Sequence, residues 1–203
     1  LSSILRRKMQ AVADSLVISA YGWTDGRPLD WGSGGPQAWP GSRPYLTAEG
    51  SQDQRGFRVF DWYLHIAEKV LKRTPGFFLY QAGLPASPAD MLSAGVEPEI
   101  VHPDLLAIAR LACGEEVTLP GSEKPLDPLP EDVSACCMWL LAASPESAYH
   151  AQAWYQSATE SKILAESWKQ HRPKPAARAK FFTPDCPVFD HYLLLPTFAW
   201  GVA

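Results

Sequence analysis

Short apolar runs alternate with amphipathic stretches through most of the chain. Runs rich in β-branched and aromatic residues predict strands over residues 15–23, 44–48, 77–81 and 133–143. Apolar residues recurring at spacings of three and four predict helices between and after them, over residues 56–73, 102–113 and 149–170, and the end of a further helix over residues 1–13. The pattern therefore alternates strand and helix.

This alternation predicts an α/β fold with the strands in one parallel sheet. The strands are apolar on both faces, which is typical of parallel sheets covered by crossover helices. We expect the four predicted strands to be parallel neighbours, because each is followed by a helical segment long enough for a crossover. Ligands in such folds bind at the carboxyl ends of the strands.

The domain organisation predicted from the sequence is one α/β unit over residues 1–170 and a shorter region after it. Residues 171–187 are rich in Pro, Lys and Ala and are typical of a linker, and residues 188–203 begin a further module. The chain starts at Leu1 within a helical pattern, so we expect it to be a fragment of a longer protein.

Composition narrows the classes of partner. The 203 residues are 46% hydrophobic and 20% charged, with a net charge of -4, so we expect neither a nucleic-acid nor a membrane partner. Four cysteines lack the spacing of a zinc site or a disulfide framework, and no phosphate-binding glycine motif joins a strand to a helix. The sequence therefore predicts no metal and no cofactor.

The candidate chemistry lies at the predicted strand ends. Glu49 follows the second strand in the segment YLTAEG and is the candidate catalytic residue, although a Glu in a polar loop is more often simply solvated. The candidate substrate-binding residues follow the other strands and are mostly aromatic or polar: Tyr21, Trp23, Asp25, Tyr80, Gln81 and Trp139.

The segments SAYGW, YLTAEGSQDQRG, FFLYQ and CCMWLLAA together resemble the carboxyl-terminal half of a glycoside hydrolase (β/α)8 barrel of the large cellulase-like group. The resemblance implies a partial TIM barrel that hydrolyses or recognises a carbohydrate. It also implies that Glu49 is the nucleophile, that Tyr21 or Trp23 is an aromatic partner of that nucleophile, and that Trp139 is a sugar platform.

Two departures from the family pattern leave alternatives open. Ala48 separates Thr47 from Glu49, which are adjacent in the family, and two predicted strands, over residues 77–81 and 133–143, follow Glu49 where a barrel that closes at its eighth strand needs one. In addition, the second carboxylate that hydrolysis requires would precede Leu1. We therefore expect the fragment to be inactive by itself. The alternatives are a non-catalytic carbohydrate- or cell-wall-binding barrel and a complete small flavodoxin-like α/β domain.

Overall fold

The computed structural model describes residue 12 and residues 15–43, 46–84, 98–147, 149–157 and 159–171. The predicted helix over residues 1–13, the linker over residues 171–187 and the module over residues 188–203 lie outside this part of the chain, apart from Val12 and His171.

The described elements alternate between strands and helices, as the sequence predicts for an α/β fold. They are, in chain order, β1 (Val17–Trp23), α1 (Gly35–Ala38), α2 (Val59–Leu71), β2 (Gly76–Gly83), α3 (Pro98–Ala112), β3 (Val117–Thr118), β4 (Pro125–Leu126), β5 (Val133–Met138), a 3-10 turn (His150–Gln152) and α4 (Ile163–His171).

A parallel sheet organises these elements. Its order is β1-β2-β5, so strands that follow one another in the chain are neighbours, and both pairings are parallel. The predicted strands over residues 15–23, 77–81 and 133–143 are thereby confirmed as members of one parallel sheet, although the last is shorter than predicted because β5 ends at Met138. β3 and β4 form a separate antiparallel hairpin.

The predicted strand over residues 44–48 is not part of this sheet in its described residues. Leu46 pairs back with Arg43 in an isolated antiparallel bridge, closed by hydrogen bonds of 2.8 and 3.1 Å. Thr47 and Ala48 have no regular structure. A short apolar run in a loop has the same local pattern as a strand, and here the Thr47 hydroxyl donates to Asp53 within the loop.

The predicted helix over residues 149–170 is wrong in its first half. The 3-10 turn is followed by an extended segment in which the Trp154 and Tyr155 amides donate to the Leu140 and Leu141 carbonyls. Only Ile163–His171 is helical. The apolar residues of the first half are buried by this pairing with the chain that follows β5, which replaces helical hydrogen bonds.

The two faces of the sheet differ in their covering. One face packs Phe77, Leu79 and Val133 against apolar residues of α2 and α3 such as Phe60 and Ile108, and this is the core. Because side chains alternate along a strand, the other face presents the intervening residues. Among the described residues these include exposed apolar side chains, namely Val17, Tyr21, Phe78 and Tyr80. We call this surface the open face.

Candidate functional site

The carboxyl ends of the three strands meet at one edge of the sheet. The Thr24 amide, just after β1, donates to the Gly83 carbonyl at 2.9 Å. The Trp139 amide, just after β5, donates to the Ala82 carbonyl at the same distance. The chain leaving each outer strand is thus fixed to the end of the central strand.

Aromatic side chains from these strand ends form a continuous set of ring contacts. Tyr21 lies 5.6 Å from Tyr80 and 6.3 Å from Trp23 between ring centroids. Trp23 contacts Trp139 edge-on at 5.5 Å, and Trp139 contacts Tyr149 edge-on at 5.7 Å. We call these five residues the aromatic cluster. Separations of this size and these edge-on geometries are those that aromatic pairs prefer.

The members of the aromatic cluster differ in solvent exposure. Tyr21 is 59% exposed and Tyr80 39% exposed on the open face, whereas Trp23, Trp139 and Tyr149 are half-buried. The indole Nε1 of Trp139 is shielded from solvent without a hydrogen-bond partner among the described residues, as is the Thr24 hydroxyl. Shielded polar atoms without a partner are uncommon in folded proteins, and these two belong to residues at the carboxyl ends of the strands.

Two glycines allow the strand ends to approach closely beneath the cluster. A Cβ on Gly22 would lie 2.8 Å from the Leu79 side chain, and one on Gly83 would lie 3.3 Å from both Trp139 and Gln152. Gln152 is fully buried and accepts a hydrogen bond from the Leu84 amide at 3.1 Å. The cluster is therefore carried by a tightly packed strand edge.

The two polar candidates at this edge have left-handed backbones. Asp25, in the exposed turn after Trp23, has φ of 51°, and Gln81, next to Tyr80, has φ of 48°. Non-glycine residues adopt this region at a cost of about 1 kcal/mol, and such residues are frequent near ligand sites. The register of β1 and β2 also shifts between Tyr21 and Trp23.

Glu49 does not follow a strand of the sheet, because it lies in the loop between β1 and α2. It is exposed in a turn with Gly50, closed by a 3.0 Å hydrogen bond from the Ser51 amide to the Ala48 carbonyl. The ring contacts of the aromatic cluster bring together four of the predicted site residues, namely Tyr21, Trp23, Tyr80 and Trp139. The carboxylates nearest to the cluster in sequence are Asp25 and Glu146, which are both exposed.

A buried carboxylate that the sequence did not single out lies in the same loop. Asp53 is 2% exposed and accepts hydrogen bonds from Trp31 Nε1, Thr47 Oγ1 and the Arg55 amide and guanidinium at 2.5–3.3 Å. Burial alone would raise the pKa of Asp53, but these donors, led by Arg55, outweigh it and hold the pKa well below its usual range. Asp53 orders the loop over residues 24–58.

The described residues contain neither a metal-binding group of side chains nor a membrane-spanning helix. No group of three or more His, Cys, Asp or Glu side chains converges there in an arrangement that would hold a metal ion. Within that part of the chain, every helix is too short or too polar to traverse a lipid bilayer.

Comparison of the chain with protein-family models, with curated protein sequences and with solved structures finds no match in any of the three.

Proposed function

We propose that this chain binds a carbohydrate through the aromatic cluster. The observation that carries the proposal is the continuous contact of Tyr21, Trp23, Tyr80 and Trp139, which come from three different strands and leave two rings exposed. Aromatic rings offer a flat apolar surface with low conformational entropy, which suits the apolar face of a sugar ring.

We further propose that the sheet is part of a (β/α)8 barrel whose open face is directed toward the barrel interior. Two features support this arrangement over a flavodoxin-like fold. The strand order β1-β2-β5 follows the chain order without the switch point of a doubly wound sheet, and the described core lies on one face only. Parallel sheets are normally covered on both faces, so further strands would complete the structure.

Recognition without hydrolysis is the version of this function that the position of Glu49 favours. Glycosidases place two carboxyl groups about 5–9.5 Å apart across the scissile bond. Glu49 lies in an exposed turn and not at the end of a strand of the sheet. If a protein that contains this chain hydrolyses a sugar with Glu49 as nucleophile, Glu49→Gln should abolish release of reducing sugar and leave the melting temperature unchanged.

Affinity electrophoresis through gels containing soluble polysaccharides, such as xylan, glucomannan and mixed-linkage glucan, tests binding by the cluster. Tyr21→Ala and Tyr80→Ala should each weaken retardation about tenfold, because each removes a stacking surface. Tyr63→Ala is the matched control: Tyr63 is 43% exposed, like Tyr80, but lies on α2. Retardation unaffected by the first two variants, or reduced equally by the control, would contradict the proposal.

A further inference from the structure

A concavity lies between the loop over residues 24–58 and the β3–β4 hairpin. We call it the hairpin cleft. Its volume is about 250 Å³, and it shares no residue with the aromatic cluster. The loop contributes Asp30, Ser33, Trp39 and Gln52, and the hairpin contributes Lys124 and Leu126 among others.

The loop wall of the cleft is held in place by its own hydrogen bonds. Trp39 Nε1 donates to the Ser33 carbonyl at 3.0 Å, and Gln52 Oε1 accepts from the Gly32 amide at 2.7 Å. Gly32 has φ of +74°, and a Cβ there would lie 2.4 Å from the Asp53 carbonyl oxygen. Only glycine fits, so the wall is closely packed behind its polar surface.

A buried guanidinium joins the two walls. Arg58 is 7% exposed, and its Nε donates to Asp61 at 3.0 Å at the start of α2. Its Nη1 donates to the carbonyl of Asp127 at 3.1 Å, directly after β4. The hairpin is also anchored by Val117 and Leu126, which are part of the core. The width of the cleft is therefore set by fixed contacts.

The lining pairs an apolar side with a rim of polar groups. Trp39, Pro125 and Leu126 supply apolar surface. Asp30 can accept hydrogen bonds from hydroxyl groups and Lys124 can donate them. The side-chain oxygen Oε1 of Gln52 accepts a hydrogen bond from the Gly32 amide. The side-chain NH2 group of Gln52 is therefore the part that can donate to an acceptor on a ligand.

From this lining we propose that the hairpin cleft binds a single sugar ring. Pockets for drug-sized ligands have volumes of about 300–1,000 Å³, so this smaller cleft suits one ring. A pyranose has an apolar face and a rim of hydroxyls, which matches one aromatic residue surrounded by an acid, an amide, an ammonium group and serine hydroxyls. An amino acid would need only two opposite charges. The inference does not depend on binding by the aromatic cluster.

Saturation-transfer NMR on the whole chain, with glucose, galactose, N-acetylglucosamine and glucuronate as probes, tests this site. At least one probe should bind with a millimolar Kd. The matching methyl glycosides separate a free sugar from the end of a glycan, because binding that survives methylation indicates a linked ring. Glycine and glutamate are the amino-acid probes and should not bind.

Variants assign the binding to the cleft. Asp30→Ala should weaken it about tenfold with no change in melting temperature, because Asp30 is exposed and loses charged hydrogen bonds to the ligand. Asp132→Ala, also exposed but outside the cleft lining, is the matched control and should leave binding unchanged. All of these chains also carry Tyr21→Ala, so that sugar bound by the aromatic cluster does not contribute to the signal. Binding of no sugar, binding of the amino acids instead, or equal affinity for Asp30→Ala and the original chain would overturn the inference.

Discussion

Asp53 and Glu49 differ in environment although they lie four positions apart in one polar segment. Glu49 is exposed in a turn, whereas Asp53 receives donors from Trp31, Thr47 and Arg55. The local sequence TAEGSQDQR gives both carboxylates similar neighbours, so it could not identify the buried one. The donors to Asp53 are brought together by the fold of the loop, and one of them, Trp31, lies 22 positions away in the chain, so the adjacent residues alone do not reveal the burial of Asp53.

Replacing Asp53 by Asn should destabilise the protein by about 2 kcal/mol at pH 7, because the charged acceptor of Arg55 is lost while the shape is kept. The folded-state pKa of Asp53 lies below its ordinary value of 3.8, so its stabilisation is fully present well above pH 3.8. The contribution is lost as the pH falls through the lower folded-state pKa.

Urea unfolding from pH 7 to pH 3 measures this effect. The difference in unfolding free energy between the two proteins should be constant near neutral pH and shrink below about pH 4. Asp30→Asn, an exposed carboxylate of the same loop, is the control and should change stability by less than about 0.5 kcal/mol. A difference that grows on acidification would exclude this role for Asp53.

At the scale of elements, the three long apolar strands could be predicted from the sequence, and so could the aromatic residues at or just after their carboxyl ends. β1, β2 and β5 each extend over six or more residues, and Tyr21, Trp23, Tyr80 and Trp139 meet because parallel strands end at one edge. The segment over residues 44–48 was too short to distinguish a strand from a loop. Glu49 was predicted to follow a strand because residues 44–48 were predicted to form one. Since Thr47 and Ala48 lie in a loop, Glu49 does not follow a strand of the sheet.

Truncation of two neighbouring side chains of β2 should reduce the unfolding free energy by very different amounts. Leu79 is fully buried in the core, so Leu79→Ala should cost about 3–5 kcal/mol of unfolding free energy. Phe78 is 46% exposed on the open face, so Phe78→Ala should cost less than about 1 kcal/mol. Chemical denaturation of both variants measures the two values. A cost for Phe78→Ala as large as that for Leu79→Ala would mean that the open face is covered in the folded protein.

At the scale of the whole molecule, the alternation of elements predicted the α/β class but not the covering of the sheet. Apolar residues on both strand faces predicted that both sides of the sheet are covered, and the described helices pack on one side. Sequence periodicity reports which residues avoid water and not what covers them. The exposed side chains on the other side are Val17, Tyr21, Phe78 and Tyr80.

The open face should make the isolated chain bind a hydrophobic dye and associate at high concentration, because exposed apolar patches and unpaired strand edges favour association. Phe78→Ser with Tyr80→Ser should reduce dye fluorescence and shift the size-exclusion profile toward the monomer. Tyr63→Ser with Ile66→Ser, on exposed positions of α2, is the matched control and should change neither. A monodisperse chain that binds little dye before any substitution would contradict this expectation.

The loop over residues 24–58 has a consequence for the order of folding. Its hydrogen bonds join residues 20 to 22 positions apart, such as Gly32 to Gln52 and Trp31 to Asp53. Pairing of β1 with β2 instead joins residues 17 and 76, which are 59 positions apart. Closing the shorter loop costs about 1 kcal/mol less in chain entropy. We therefore expect the loop to acquire its structure before the sheet does, so that one wall of the hairpin cleft forms ahead of the core behind it.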